Sequence, residues 1–272
     1  MEQELGKTVQ YQKFIYYNNM GLDLNGNKLN STSIGPKGEV VKSIVTDNLL
    51  VHLDAGNKNS YGGSGTTWTD LSGFGKHGTL NNSPSFNTIA GGALSFNASN
   101  TYISLGNLGT IGNFQTVEVW FYSTSVTNYL NVCDMNYNTY YPNQGNAGPR
   151  LEQSSVATFN SGWAWSGNTS NNSIYQGQST AYTLYANNWY NAIYANNNGT
   201  VTAYLNGVAI SSTSSPNGFI TTYGDVNIGR GFSLAGNRYF GGYISIFRIY
   251  GRSLITSEVL QNYNAQKSRF GL

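Results

Sequence analysis

A strand with apolar residues on both of its faces must lie in the middle of a sheet, and this chain has one near its end. Within Tyr239 to Asn264, YFGGYISIFRIYGRSLITSEVLQNYN, the residues from Gly242 to Tyr250 alternate. Tyr243, Ser245, Phe247 and Ile249 are assigned to one face, and Ile244, Ile246, Arg248 and Tyr250 to the other. Neither face is wholly polar, so the strand is expected at the centre of its sheet, covered on both sides. Gly251 ends it. One short helix is predicted next, with Thr256 as its cap and Glu258 in the first turn, where the helix dipole favours a carboxylate. Leu254, Val259, Leu260 and Tyr263 supply its apolar stripe.

The rest of the chain is strand and turn material. Only 10% of its residues are charged, while 14% are aromatic and 33 are glycine, a mixture that suits strands joined by many turns. The 272 residues are enough for one large sandwich with a sizeable core, and no tandem repeat divides them. A net charge of +2 without a basic run gives no reason to expect nucleic acid as a partner. Cys133 is the sole cysteine, which excludes an intramolecular disulfide and a multi-cysteine zinc site; its apolar and aromatic neighbours predict a buried free thiol. No apolar run is long enough to span a bilayer, so membrane insertion is not expected, and MEQELGKTVQYQKF lacks the apolar core of a signal peptide.

The order of the closing segment carries a family resemblance. A strand ending Arg248-Ile249-Tyr250 runs into Gly251-Arg252-Ser253-Leu254, then a Ser257-Glu258 helix start and an Asn262-Tyr263 finish. This resembles the end of laminin-G-like, concanavalin A-like jelly-roll domains. LDAGNKNSYGGSGTTWTDLSG (53–73) resembles their opening, which implies a glycine-rich loop folded back on the sandwich with Trp68 packed beneath it. TVEVWFY (116–122) is similar to their central core strand, with Val117, Val119 and Phe121 on one face and Glu118, Trp120 and Tyr122 on the other. WYNAIYANNNGTVTAYLNGVAI (189–210) resembles their hairpin, turning at Asn196 to Thr200 and again at Asn206-Gly207, and Val226 to Gly229 supplies a further strand. Ala93–Phe96 and Tyr102–Leu105 are expected to pair as a hairpin, with Asn97 in place of the family's Asp, which removes a cation ligand. The resemblance covers roughly 46–272 and blurs between Asn128 and Trp189. It implies an all-β fold: a two-sheet antiparallel jelly-roll sandwich, concanavalin A-like, with an extended N-terminal arm and one short C-terminal helix.

The arm, residues 1–45, is expected to dock or oligomerise. Phe14 and Tyr16 lie in its aromatic cluster, and Leu22 and Leu24 alternate with polar neighbours before the Asn25-Gly26 turn. MGLDLNGNKL (20–29) resembles an element of phage tail-fibre proteins that packs around a trimer axis, although Asn30-Ser31-Thr32 departs from the usual continuation. An ordinary Asn-Gly hairpin accounts for the same residues; the lectin-like neighbour tips the reading towards the fibre. A homotrimer and contacts with other virion proteins are what that resemblance implies. The expected location is the virion surface, outside the cell after host lysis.

The chemistry available points to binding. A glucan hydrolase of this fold carries two carboxylates on one strand as Glu-x-Asp-x-(x)-Glu. Beyond the arm this chain has only Asp47, Asp54, Asp70, Asp134, Asp225, Glu118, Glu152 and Glu258, no two of them two residues apart. Glu118 is read as a hydrogen-bond acceptor of the sheet, no catalytic residue is assigned, and the chain is not expected to be an enzyme. Asp54 and Asp70 bracket the opening loop and are the candidate calcium pair; capping turns is the commoner role of a loop Asp, and so few carboxylates favour it. Sugar recognition needs an aromatic platform with planar polar groups beside it. Trp163, Trp165, Tyr137, Tyr140 and Tyr141, set among Asn, Ser, Gly and Gln, are the candidates for binding host-surface glycans. A protein–protein interface would use the same residue types. A decoration or cement protein with protein contacts only, and a glucan hydrolase of the same fold, are therefore the alternatives to glycan adhesion.

Overall fold

The computed structural model of the chain describes residues 32–34, 40–112, 114–125, 130–135, 148–153, 158–164, 178–214, 222–231 and 238–272. Two antiparallel sheets lie face to face. In sheet I the spatial order is β16 (Val208–Ser214), β15 (Thr200–Leu205), β14 (Asn188–Asn197), β9 (Phe114–Ser123), β20 (Gly241–Tyr250), β7 (Ala93–Asn97) and β6 (Ser85–Asn87). β3 (Leu49–Asp54) pairs with the half of β20 that β7 leaves free. Sheet II runs β13 (Gln178–Thr183), β12 (Thr158–Ala164), β11 (Gly148–Gln153), β10 (Leu130–Asp134), β17 (Thr222–Ile228), β8 (Tyr102–Thr110), β5 (Gly78–Asn81) and β4 (Thr67–Trp68). Among the described residues two short pairs complete the strands: β1 (Thr32–Ile34) with β2 (Val40–Lys42), and β18 (Arg230–Gly231) with β19 (Arg238–Tyr239).

β20 is central, as its two apolar faces require. Val117, Val119 and Phe121 of β9 join Ile244, Phe247 and Ile249 of β20 in the core between the sheets, with Trp68 wholly buried in the same cluster. One detail of the alternation differs. The register shifts between Ile244 and Ile246, a β-bulge at Ser245. Ile244 therefore lies in the inner core while Tyr243 packs outside, the reverse of strict alternation. Ser245, carried by the bulge, donates to the Gly92 carbonyl at 2.7 Å.

β7 and β8 do not form the expected hairpin: β7 belongs to sheet I and β8 to sheet II. The corner between them is organised by Asn97. Its Oδ1 accepts from the amides of Ser99, Asn100 and Thr101 at 3.0, 3.0 and 3.2 Å, so the chain curls over one side chain and crosses the sandwich. Asn198 and Gly199 (φ 41 and 106) turn β14 into β15, and Asn206 and Gly207 (φ 49 and 78) turn β15 into β16.

The outer face of sheet I is covered by helix α1 (Thr256–Gln266) and the 3-10 turn Lys267–Phe270. Phe270 stacks on Trp120 with ring centroids 4.2 Å apart. Val45, Leu49, Tyr250, Leu254 and Val259 close a second cluster there. Thr256 is the first helical residue rather than the cap: Ile255 precedes it in extended backbone, and Glu258 accepts from its amide at 3.0 Å. Thr256 Oγ1 instead meets Tyr204 OH at 3.1 Å. Leu260, assigned to the buried stripe, is 45% exposed, and the buried position on that turn belongs to Asn262. Asn262 has polar work to do, described next.

Candidate functional site

Cross-strand register places Glu118 of β9, Arg248 of β20 and His52 of β3 in one row on the outer face of sheet I. Glu118 and Arg248 are wholly buried, with Arg248 Nη1 3.2 Å from Glu118 Oε1. Trp120 Nε1 (3.0 Å) and Asn191 Nδ2 (3.1 Å) donate to the same oxygen, and Asn262 Nδ2 from the helix donates to Oε2 at 2.9 Å. Asn262 also donates to Tyr250 OH at 2.8 Å, and Tyr250 OH donates to the Val45 carbonyl at 3.1 Å. Burial, the largest single influence, opposes the charge on Arg248, but Glu118, Tyr250 and Asp54 together offset it and hold the guanidinium's pKa above its ordinary value. Burial and the charge of Arg248 push the His52 imidazole down to about 3. Glu118, expected as a hydrogen-bond acceptor, is one, and the helix seals it from any polymeric substrate.

The two loop aspartates have other partners. Asp54 is gripped by Arg269, Nη1 lying 2.7 and 3.0 Å from its two oxygens, and also accepts from the Gly56 amide at 2.9 Å. Asp70 Oδ1 accepts from the amides of His52 (2.8 Å) and Ser72 (2.9 Å), and Oδ2 from Ser72 Oγ (2.7 Å) and the Lys76 amide (3.0 Å). Oxygens held by an arginine and by N–H donors do not make a calcium cradle, which needs free carboxylate and carbonyl oxygens converging on one point. Asp70 instead ties the glycine-rich loop to the edge of β3. Among the described residues no group of three or more His, Cys, Asp or Glu side chains converges. Cys133 is a buried free thiol, pushed up to about 12 by burial.

Sheet II offers a different surface. Leu80, Ile103, Ile228 and Cys133 form an apolar row across β5, β8, β17 and β10 towards the core. The neighbouring row, Thr79, Ser104, Asn227 and Asp134, is polar and lies on the opposite face, where Thr79 is exposed, Ser104 half-buried, and Asn227 and Asp134 buried. Beside that row the Arg230 guanidinium lies over the Tyr102 ring, 3.4 Å from its centroid, and Nη2 donates to Asn227 Oδ1 at 3.0 Å. Tyr102, Ser104 and Arg230 are half-buried. The Arg230 guanidinium lies flat on the ring with its Nε buried, and the Asn227 amide beside it is buried too and donates from Nδ2 to the Asp225 carbonyl at 3.2 Å. The accessible polar groups along the row are the hydroxyls of exposed Thr79 and half-buried Ser104. Such a surface can take the flat side of a sugar ring and donate to its hydroxyls.

Of the aromatic candidates, Tyr137, Tyr140, Tyr141 and Trp165 lie outside the described residues, as do Phe14, Tyr16, Leu22 and Leu24 of the arm. Trp163 is on β12 of sheet II, its backbone paired with Pro149. The Tyr102–Arg230 pair was missed because 128 positions separate its members. The alternation of Tyr102 and Ser104 about Ile103 was the available signal.

The profile of one family, described as the concanavalin A-like lectin/glucanases superfamily, matches residues 97–260, more than half of the chain. The chain belongs to this superfamily. No protein with a curated description matches it in sequence. Solved structures share the concanavalin A-like fold at low identity. Domain 4 of AbnA, a GH43 extracellular arabinanase from Geobacillus stearothermophilus solved with arabinotriose, superposes with a TM-score of 0.58 at 20% identity, over 79% of this chain and 98% of that one. The botulinum neurotoxin serotype D ligand binding domain, in complex with N-acetylneuraminic acid, gives 0.59 at 17%, over 82% and 52%. A mutant of Trypanosoma rangeli sialidase displaying trans-sialidase activity gives 0.61 at 12%, over 98% and 39%. The concanavalin A-like chain thus spans nearly all of the arabinanase domain but only about half of the toxin domain.

Proposed function

We propose that the protein is a non-enzymatic virion surface component of a bacteriophage, a fibre or decoration protein whose concanavalin A-like domain adheres to glycans on the host surface. The observation that carries the adhesion reading is the half-buried Arg230–Tyr102 stack on the side of sheet II away from the core, with the hydroxyls of Ser104 and exposed Thr79 along the neighbouring row. Fold neighbours solved with arabinotriose and with N-acetylneuraminic acid support the same class of ligand. The burial of Glu118 under α1 supports a binding role over a hydrolytic one. The virion setting rests on the likeness of residues 20–29 to a fibre element, and assigns the arm to docking or trimerisation.

A glycan array probed with the full chain tests adhesion. Binding to a defined glycan is expected, and Thr79→Trp, which adds bulk at the exposed end of the row, should weaken it at least tenfold with melting unchanged. Arg230→Ala should weaken it and also lower melting, because it strips the partner from buried Asn227. Equal binding by both variants would move the site elsewhere; no binding across the array would leave protein contacts as the domain's role. Light scattering tests the arm: a trimer is expected for the full chain and a monomer for a chain beginning at Val40. Two monomers would remove the trimerising role.

A further inference from the structure

The row beneath α1 carries an imbalance. A guanidinium has five N–H donors, yet Nε, Nη1 and Nη2 of Arg248 make no aligned hydrogen bond, although the residue is wholly buried. Its contact with Glu118 is an ion pair to an oxygen already taken by Trp120 and Asn191. Directly across the β20–β3 ladder, His52 Nε2 is also buried without a partner. The two orphans are complementary, donors on Arg248 and a ring nitrogen able to accept on His52, but no direct bond joins them. Leaving such groups bare in an interior is costly, and buried water commonly satisfies them.

We propose that the layer between sheet I and α1 is a hydration site, in which an internal water accepts from Arg248 and donates to His52 Nε2. Charge selects water over a small anion. Glu118 offsets Arg248, Asp54 offsets Arg269, and His52 faces the guanidinium as a neutral ring. An added anion would leave an uncompensated negative charge beside the Asp70 carboxylate, at a point where the guanidinium and Nε2 are buried. Donation to Nε2 requires the imidazole proton on Nδ1, so the site also assigns the His52 tautomer.

The test is a high-resolution crystal structure of the full chain grown in sodium bromide. The expected result is an ordered water within hydrogen-bond distance of both the Arg248 guanidinium and His52 Nε2, without anomalous signal. A bromide peak at that point, or a direct Arg248–His52 bond with no density between, would overturn the proposal. In solution, nitrogen-15 shifts of His52 should report the Nδ1–H tautomer, and oxygen-17 relaxation dispersion should count at least one fewer long-lived water in His52→Leu. The opposite tautomer, or an unchanged water count in a folded variant, would count against it.

Discussion

At the scale of single residues, the buried row makes two measurements informative. His52 titrates near 6.5 when unfolded and about 3 when folded, so below pH 6.5 the unfolded chain binds the extra proton. The stability that His52 contributes is fully present above pH 6.5 and is lost as pH falls from there towards 3. Urea denaturation should show a slope from this group approaching about 1.4 kcal/mol per pH unit within the window, absent in His52→Gln. Glu118 and Arg248 give the second. Removing one partner of a buried pair leaves an uncompensated charge, so Glu118→Gln should cost roughly 3–5 kcal/mol. Glu118→Gln with Arg248→Met should cost less than Glu118→Gln alone, because the double variant leaves no buried charge. If the two costs simply add, the pair is not the reason for either.

At the scale of elements, turns and caps decide where strands and the helix end. Gly207 closes the β15–β16 hairpin at φ 78, and a Cβ there would lie 2.9 Å from Tyr263 Cδ1 on α1. Gly207→Ala should therefore lose roughly 1–3 kcal/mol, through backbone strain and displacement of the helix. A scanning calorimeter would detect it, and an unchanged melt would show that the hairpin and α1 are not in firm contact. The helix start is tied by Arg252, whose guanidinium grips Glu258 with two 2.7 Å hydrogen bonds. The pair is partly exposed, which keeps its contribution near that of other surface bridges.

Across the whole molecule, the first and last parts of the domain are sewn together. The Val45 amide donates to Asn262 Oδ1 at 2.8 Å, Tyr250 OH donates to the Val45 carbonyl, and Gln261 Nε2 donates to the Ser43 carbonyl at 2.7 Å. The packed unit thus reaches back to Ser43, just inside the stretch assigned to the arm. A chain beginning at Val40 should melt with the full-length protein. One beginning at Thr46 would strip partners from buried Asn262 and Tyr250, and should lose at least about 2 kcal/mol. Equal melting of the two would show that the stitching carries no stability.

What the sequence determined by itself was whatever is local and periodic. Alternation from Gly242 to Tyr250 and from Thr116 to Tyr122 located the two central strands, Asn206-Gly207 located a hairpin, and composition excluded a helical fold. Tertiary structure decided everything that depends on partners distant along the chain. The bulge at Ser245 reverses the faces of Tyr243 and Ile244, Asn97 sends the strand that follows it to the other sheet, and Asp54 is gripped by Arg269 from the far end of the domain. Tyr102 and Arg230 become one surface only when β8 and β17 pair. Periodicity reports which side of a strand meets the core; it carries no information about which other strand supplies the charge or ring beside it.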